Sequence, residues 1–208
     1  RYVNKRISYR SGIGALTDNL GNVIVNDVAK ANMFNDYFAS VGTVDNDILP
    51  SCPVVVGVDK LLSTVEFNET NVMLAMNKLK PNLSGGPDGL PPLLFKRLKH
   101  CLAGPLAAIF SQLLSVAAVP EEWKQAIITP VFKKGAAGTV SNYRPISLTC
   151  VPCKIMERVI SQQMCRHFND NHILHKAQHG FLKGHSTCTN MLESMNDWTL
   201  SINDKQGV

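Results

Sequence analysis

The chain has 208 residues, 45% of them hydrophobic and 18% charged, against about 25% charged in an average globular domain, a composition that excludes a disordered tail. Twenty-one Lys and Arg against sixteen Asp and Glu leave a net charge of +5, which admits a polyanionic partner without requiring one. At about 100 to 200 residues per domain, the length allows one domain with an appendage or two small ones, each able to bury a core.

The N-terminal segment opens basic, with Arg1, Lys5, Arg6 and Arg10, and passes through the turn-prone run Asp18-Asn19-Leu20-Gly21-Asn22. Val28, Ala31, Phe34, Phe38 and Val41 then recur at three and four residues, with Gly42 as a stop, which predicts a small helical lead-in. Two prolines and a Val54-Val55-Val56 run place a linker between Pro50 and Ser63. A second helix has Asn68 as its cap, Phe67 and Val72 as a hydrophobic staple, and Val72, Ala75, Met76 and Leu79 as its apolar face, with Pro81 as its stop. Gly85, Gly86, Pro87, Asp88 and Gly89 form a turn whose backbone can approach another chain or an anion.

Pro91 and Pro92 suit the first turn of a third helix, and Leu102, Leu106, Ile109, Phe110, Leu113 and Leu114 line a fourth that ends before Pro120. The apolar run from Ala103 to Val119 contains Pro105, Ser111 and Gln112 and is shorter than the roughly 20 residues of a membrane span. It reads as a buried core helix, with no membrane partner. Ala126, Ile127, Ile128, Val131 and Phe132 predict a strand and Arg144 to Leu148 a second, with Lys133, Lys134, Gly135, Gly138 and Asn142 in the loop between them. Thr149 can cap a helix carrying Val151, Ile155, Met156, Val159, Ile160 and Met164, and a last helix starts near Ser186 or Thr187 and runs to Trp198.

Three groups of residues invite chemistry. Lys133 and Lys134 at the end of one strand and Arg144 at the start of the next can converge on a triphosphate, Lys as point charge and Arg as a bidentate fork, although solvated basic residues at a loop give the same pattern. The turn at Gly85 to Gly89 lacks a Walker Lys-Ser or Lys-Thr, and Pro87 removes an amide, so it is either a tight turn between helices or a nucleic-acid contact. Gln178, Gly180, Phe181 and Lys183 offer hydrogen bonding, backbone access, a stacking face and a positive charge. That mixture suits a nucleic-acid strand, with Phe181 packed under its own loop as the alternative.

Cys150 and Cys153, with Cys165 and His167 downstream, raise a zinc site, but Pro152 and the apolar helical face make the cysteines small core hydrophobes instead. His167, His172, His175, His179 and His185 have no metal-ligand spacing and read as surface or loop residues. Gly184-His185-Ser186 lacks the second glycine of a nucleophile elbow, so Ser186 reads as a helix cap. Six cysteines without a secretory leader predict a reduced intracellular setting, and a start at Arg1 predicts a piece of a longer protein.

The order of these motifs is specific. Gly86-Pro87-Asp88-Gly89-Leu90-Pro91, then Pro120 to Trp123 leading to Pro130-Val131-Phe132-Lys133-Lys134-Gly135, then Asn142-Tyr143-Arg144-Pro145-Ile146-Ser147-Leu148, then Gln178-His179-Gly180-Phe181 closely resembles the N-terminal part of the reverse transcriptase of non-LTR retrotransposons of the jockey-like LINE type. The resemblance covers Glu66 onward. Residues 1–65 resemble the segment that joins an upstream endonuclease to the polymerase.

The resemblance implies an α/β (α+β) fold: mostly helical fingers with a β-hairpin, and the start of the palm of a right-hand polymerase over 66–208. It gives Lys133 or Lys134 and Arg144 the incoming deoxynucleoside triphosphate. The template side would take Gly86, Pro87, Asp88 and Gly89 together with Gln178, Gly180, Phe181, Lys183 and Ser186. Leu83, Leu182 and His185 stand where members commonly carry Lys, Arg and Arg, which implies weaker phosphate contacts or an inactive copy of the element.

Implied partners are an RNA template, a DNA primer, the rest of the polymerase and the endonuclease domain, acting on nuclear DNA. The complete enzyme would use Mg2+ held by carboxylates. The family places these after the point where this chain ends, and neither Asp197 nor Asp204 has a Tyr-x-Asp-Asp context. This segment is therefore expected to bind no metal and to be inactive alone. A non-catalytic nucleic-acid-binding remnant, or a host protein derived from one, is the alternative.

Overall fold

A computed structural model describes residues 12–42, 61–81 and 85–204, with mixed α and β structure and two small antiparallel sheets. The predicted linker as far as Lys60, the basic residues before Ser11, and Leu83 lie outside the described residues. The chain divides into two compact units, Arg1–Cys52 with Phe67–Glu157 and Pro53–Glu66 with Arg158–Val208.

The first unit opens with a hairpin, β1 (Leu16–Thr17) paired antiparallel with β2 (Val23–Ile24). Asp18 builds the turn: its carboxylate accepts the Leu20 and Asn22 amides at 2.9 and 2.8 Å and the Asn22 side-chain amide at 2.9 Å. The Asn22 side-chain bond is the largest of the effects that hold this carboxyl below its ordinary range. The lead-in is therefore not purely helical, because two-residue strands are too short for alternation to register in sequence. Helix α1 (Asp27–Ser40) follows, with the Asn26 side chain capping Ala29 N–H at 3.0 Å. Only Phe34 of its predicted face is fully buried, while Val28 and Val41 are exposed.

Helix α2 (Glu69–Asn77) starts as predicted, with reciprocal Asn68 and Asn71 side-chain bonds to each other's backbone. Such a cap contributes about 1 kcal/mol. Its buried Val72, Ala75 and Met76 pack on α4 (Lys99–Ser115), reached through the short α3 (Pro92–Arg97). Lys96 Nζ donates to the Leu79 carbonyl at 3.2 Å and Lys99 Nζ to Asn77 Oδ1 at 2.6 Å, so the C-terminal end of α2 meets cations.

The buried face of α4 is Ala103, Leu106, Ala107 and Phe110, rotated from the predicted one. Ile109 and Leu114 are exposed, because the alanines allow the close approach to α2. The Phe110 ring lies 5.4 Å from Phe67 and 5.9 Å from Trp123, the latter in the short α5 (Glu121–Lys124).

Strand β3 (Ala126–Phe132) pairs antiparallel with β4 (Tyr143–Thr149), each longer than or equal to its predicted span. The register sets Val131 opposite Arg144, Thr129 opposite Ile146 and Pro130 opposite Pro145. A 3-10 turn (Val140–Asn142) leads into β4. Helix α6 (Val151–Asp170) opens at Cys150, whose carbonyl accepts Lys154 N–H, one residue later than the predicted Thr149 cap.

In the second unit, the Gln163 amide clasps the Glu66 backbone, donating to its carbonyl at 2.7 Å and accepting its N–H at 2.9 Å. A turn-rich stretch then leads to α7 (Thr187–Asn203). Ser186 caps α7 as predicted, in a reciprocal box with Thr189. Met191, Met195, Trp198 and Ile202 are exposed along its length.

Candidate nucleic-acid and nucleotide interface

Alternation along the hairpin places Ile127, Thr129 and Val131 on one face with Arg144, Ile146 and Leu148. Lys133 N–H donates to the Asn142 carbonyl at 2.8 Å, so the ladder continues one pair further and Lys133 joins that same face. Lys133 and Arg144 are then diagonal neighbours, with β-carbons about 7–8 Å apart or somewhat less by ladder geometry. Lys134 follows in the loop, and all three side chains are exposed. Among the described residues no carboxylate pairs with any of them. Gly135 has φ +92°, and a β-carbon there would meet the Asn142 amide at 2.8 to 3.0 Å, so the loop needs glycine at that position. On the opposite face, Ile128, Pro130, Pro145 and Ser147 line a groove of about 1010 Å³ against Phe34 and Phe38 of α1.

The Gly86 to Gly89 turn is closed by Gly89 N–H to the Gly86 carbonyl at 3.0 Å, and Asp88 Oδ1 accepts Leu90 N–H at 3.2 Å. Gly86 is buried: a β-carbon there would come within 2.5 Å of Thr149 C and Cys150 N. The turn therefore sits at the Thr149 end of β4, away from the loop end that carries Lys133 and Arg144, while Pro87, Asp88 and Gly89 face solvent.

In the second unit, Gln178, Gly180, Phe181, Lys183 and Ser186 gather in one exposed loop before α7. Phe181 does not pack beneath its loop: the ring is fully exposed (110%) and the backbone is left-handed at φ +62°. Such a conformation in a bulky residue is uncommon and strained. Ser186 spends its side chain on the α7 cap.

His179 lies in this loop, as the sequence predicts, and is anchored there by its side chain. His179 has a side chain only 9% exposed, with Nε2 2.5 Å from Glu193 and Nδ1 2.9 Å from the Thr189 hydroxyl. It ties the loop to α7, and the His185 ring stacks edge-on at 5.0 Å.

Cys150 and Cys153 are buried, and Cys153 Sγ donates to Glu157 at 3.4 Å. Burial first, then the Glu157 carboxylate, push the Cys153 thiol up to about 12. A thiolate, the form that ligates zinc, is thus disfavoured there. Iodoacetamide at pH 8 is expected to alkylate the exposed Cys101, Cys165 and Cys188 in the folded chain and to spare Cys150 and Cys153. Mass spectrometry of the digested protein reads the result, and early labelling of Cys153 would contradict it.

No protein-family model matches the chain. It is 32% identical over 117 residues to the "Probable RNA-directed DNA polymerase from transposon BS" of Drosophila melanogaster, covering 56% of this chain and 13% of that protein. It is 34% identical over 127 residues to the "RNA-directed DNA polymerase from mobile element jockey" of the same organism, covering 61% of this chain and 14% of the relative.

Over about 60% of its length the chain is thus similar to RNA-directed DNA polymerases of mobile elements, jockey among them. It spans about one-seventh of the length of these curated relatives. Three features of the chain carry little sequence signal: the His179 anchor, the pairing of Lys133 and Arg144 on one face, and the contacts that hold their loop. The first had a signal, since Thr189 and Glu193 lie four apart and share a face of α7.

Proposed function

We propose that the chain is part of an RNA-directed DNA polymerase of a retrotransposon, forming fingers and the start of a palm. In this reading the β3–β4 hairpin holds the triphosphate of the incoming deoxynucleotide, and the loop from Gln178 to Ser186 meets the RNA template. The observation that carries it is the shared outer face of Lys133 and Arg144, exposed beside Lys134 and unpaired with carboxylates among the described residues. Cations held on one face can engage several phosphate oxygens at once, and Arg adds a bidentate fork. The solvent-facing Phe181 offers a π-face on which a base can stack, with Lys183 nearby in the loop for a phosphate.

No group of three or more His, Cys, Asp or Glu side chains converges among the described residues, and no step of the reading runs through a metal.

Replacing Lys133, Lys134 and Arg144 together by Ala is expected to weaken binding of a deoxynucleoside triphosphate at low salt by at least about tenfold, given about 1.5–3 kcal/mol for a hydrogen bond to a charged group. Isothermal titration measures it. Wild-type affinity in the triple variant removes the assignment.

A further inference from the structure

The lead-in residues hold the loop that carries Lys133 and Lys134. Thr17 N–H donates to the Gly138 carbonyl at 2.8 Å. A β-carbon on Gly138 would lie 3.4 Å from Thr17 Oγ1 and 3.5 Å from the Ala15 carbonyl, so β1 and the loop are in direct contact. On the other side, the Tyr143 hydroxyl donates to the adjacent Ala137 carbonyl at 2.7 Å. The Tyr143 ring is buried, 4.9 Å from Phe34 of α1 in an edge contact and 5.4 Å from Phe132. Leu16 and Phe34 complete the same buried cluster. Two successive loop carbonyls are thus fastened from different directions, one by β1 and one by a tyrosine that α1 holds in place.

A loop left free between Lys133 and Arg144 would spread its cations over many conformations. Binding would then have to bear the ordering entropy of each immobilised residue. The fastening removes that cost in advance.

We propose that residues 12–42 are the positioning module of the basic loop, and that Thr17 and Tyr143 are positioning residues that pre-order Lys133, Lys134 and Arg144 for a polyphosphate. This rests on the nucleotide reading of the hairpin given above.

The test uses the full chain, with inorganic tripolyphosphate as the probe in isothermal titration and amide exchange across Ala136 to Thr139 as a second readout. Tyr143→Phe removes the hydroxyl and keeps the ring. Thr17→Pro removes an N–H that bonds outward to the loop, away from β2. Each is expected to weaken tripolyphosphate binding about three- to tenfold, the equivalent of one net hydrogen bond, and to speed exchange in the loop. A merely structural role shifts the melting temperature and leaves the affinity of the folded chain unchanged.

If the Lys133, Lys134 and Arg144 triple variant loses binding while both positioning variants keep wild-type affinity, the positioning role is overturned and the nucleotide reading stands. If the triple variant binds like wild type, the nucleotide reading fails and the positioning proposal falls with it. Should Thr17→Pro fail to fold, Tyr143→Phe alone decides.

Discussion

Replacing Gly86 by Ala is expected to destabilise the chain by about 3 kcal/mol, at the upper end of what inserting one carbon into a packed interior costs. The added β-carbon would lie 2.5 Å from both Cys150 N and Thr149 C and 2.6 Å from Cys150 Cα. These are backbone atoms at the junction of β4 and α6, and they cannot swing aside as a side-chain tip can. Relief requires the turn to lift off the strand. Gly89 provides the comparison: its φ of +67° strains any side chain, but nothing lies within 4 Å of an added β-carbon. Gly89→Ala should therefore cost only about 1 kcal/mol, the backbone preference alone. Urea denaturation followed by circular dichroism separates the two, and equal midpoints for both variants would show that the turn does not rest on β4.

Phe110→Ala is expected to cost about 3–5 kcal/mol, the range for deleting a buried aromatic ring. Phe110 is fully buried and touches both Phe67, which leads into α2, and Trp123 in α5. Its loss opens a cavity where three segments of the first unit meet. Leu114 lies on the same helix and belonged to the same predicted stripe, yet it is 41% exposed, so Leu114→Ala should stay within about 1 kcal/mol by its smaller loss of buried area. A denaturation midpoint for Phe110→Ala close to that of Leu114→Ala would contradict the placement of α4.

Much of the helical framework was legible because its signals are local. Asn68 and Pro81 bracket α2, Pro92 opens α3, and Ser186 caps α7, each through bonds or steric limits within one turn. The strands β3 and β4 were legible from their β-branched residues and the change of period.

What was not legible depends on pairings distant in sequence. Nothing local in the loop between Lys133 and Asn142 fixes whether Arg144 stands opposite Val131 or one residue away, and a slip of one would send it to the groove face beside α1. The His179 contact reaches across to Glu193, and the exposure of Phe181 depends on what surrounds its loop. In α4, periodicity located an apolar stripe but not its centre, because the small residues Ala103 and Ala107 carry the closest packing and add little to a hydrophobic pattern.

The Pro130–Pro145 pair bears on how so apolar a ribbon stays two-stranded. With Lys133 and Asn142 hydrogen-bonded, alternation along the ladder makes Pro130 and Pro145 a non-hydrogen-bonded pair. An N–H at either position would point outward, to where a third strand would dock. Proline has none, so the donor row is broken near the middle of each free edge. Ile127, Ile128, Val131 and Ile146 are all about half exposed on this ribbon, a composition that otherwise invites edge-to-edge aggregation. The two rings act as gatekeepers, closing the edges to further sheet while the face of Ile127, Val131 and Ile146 stays half exposed.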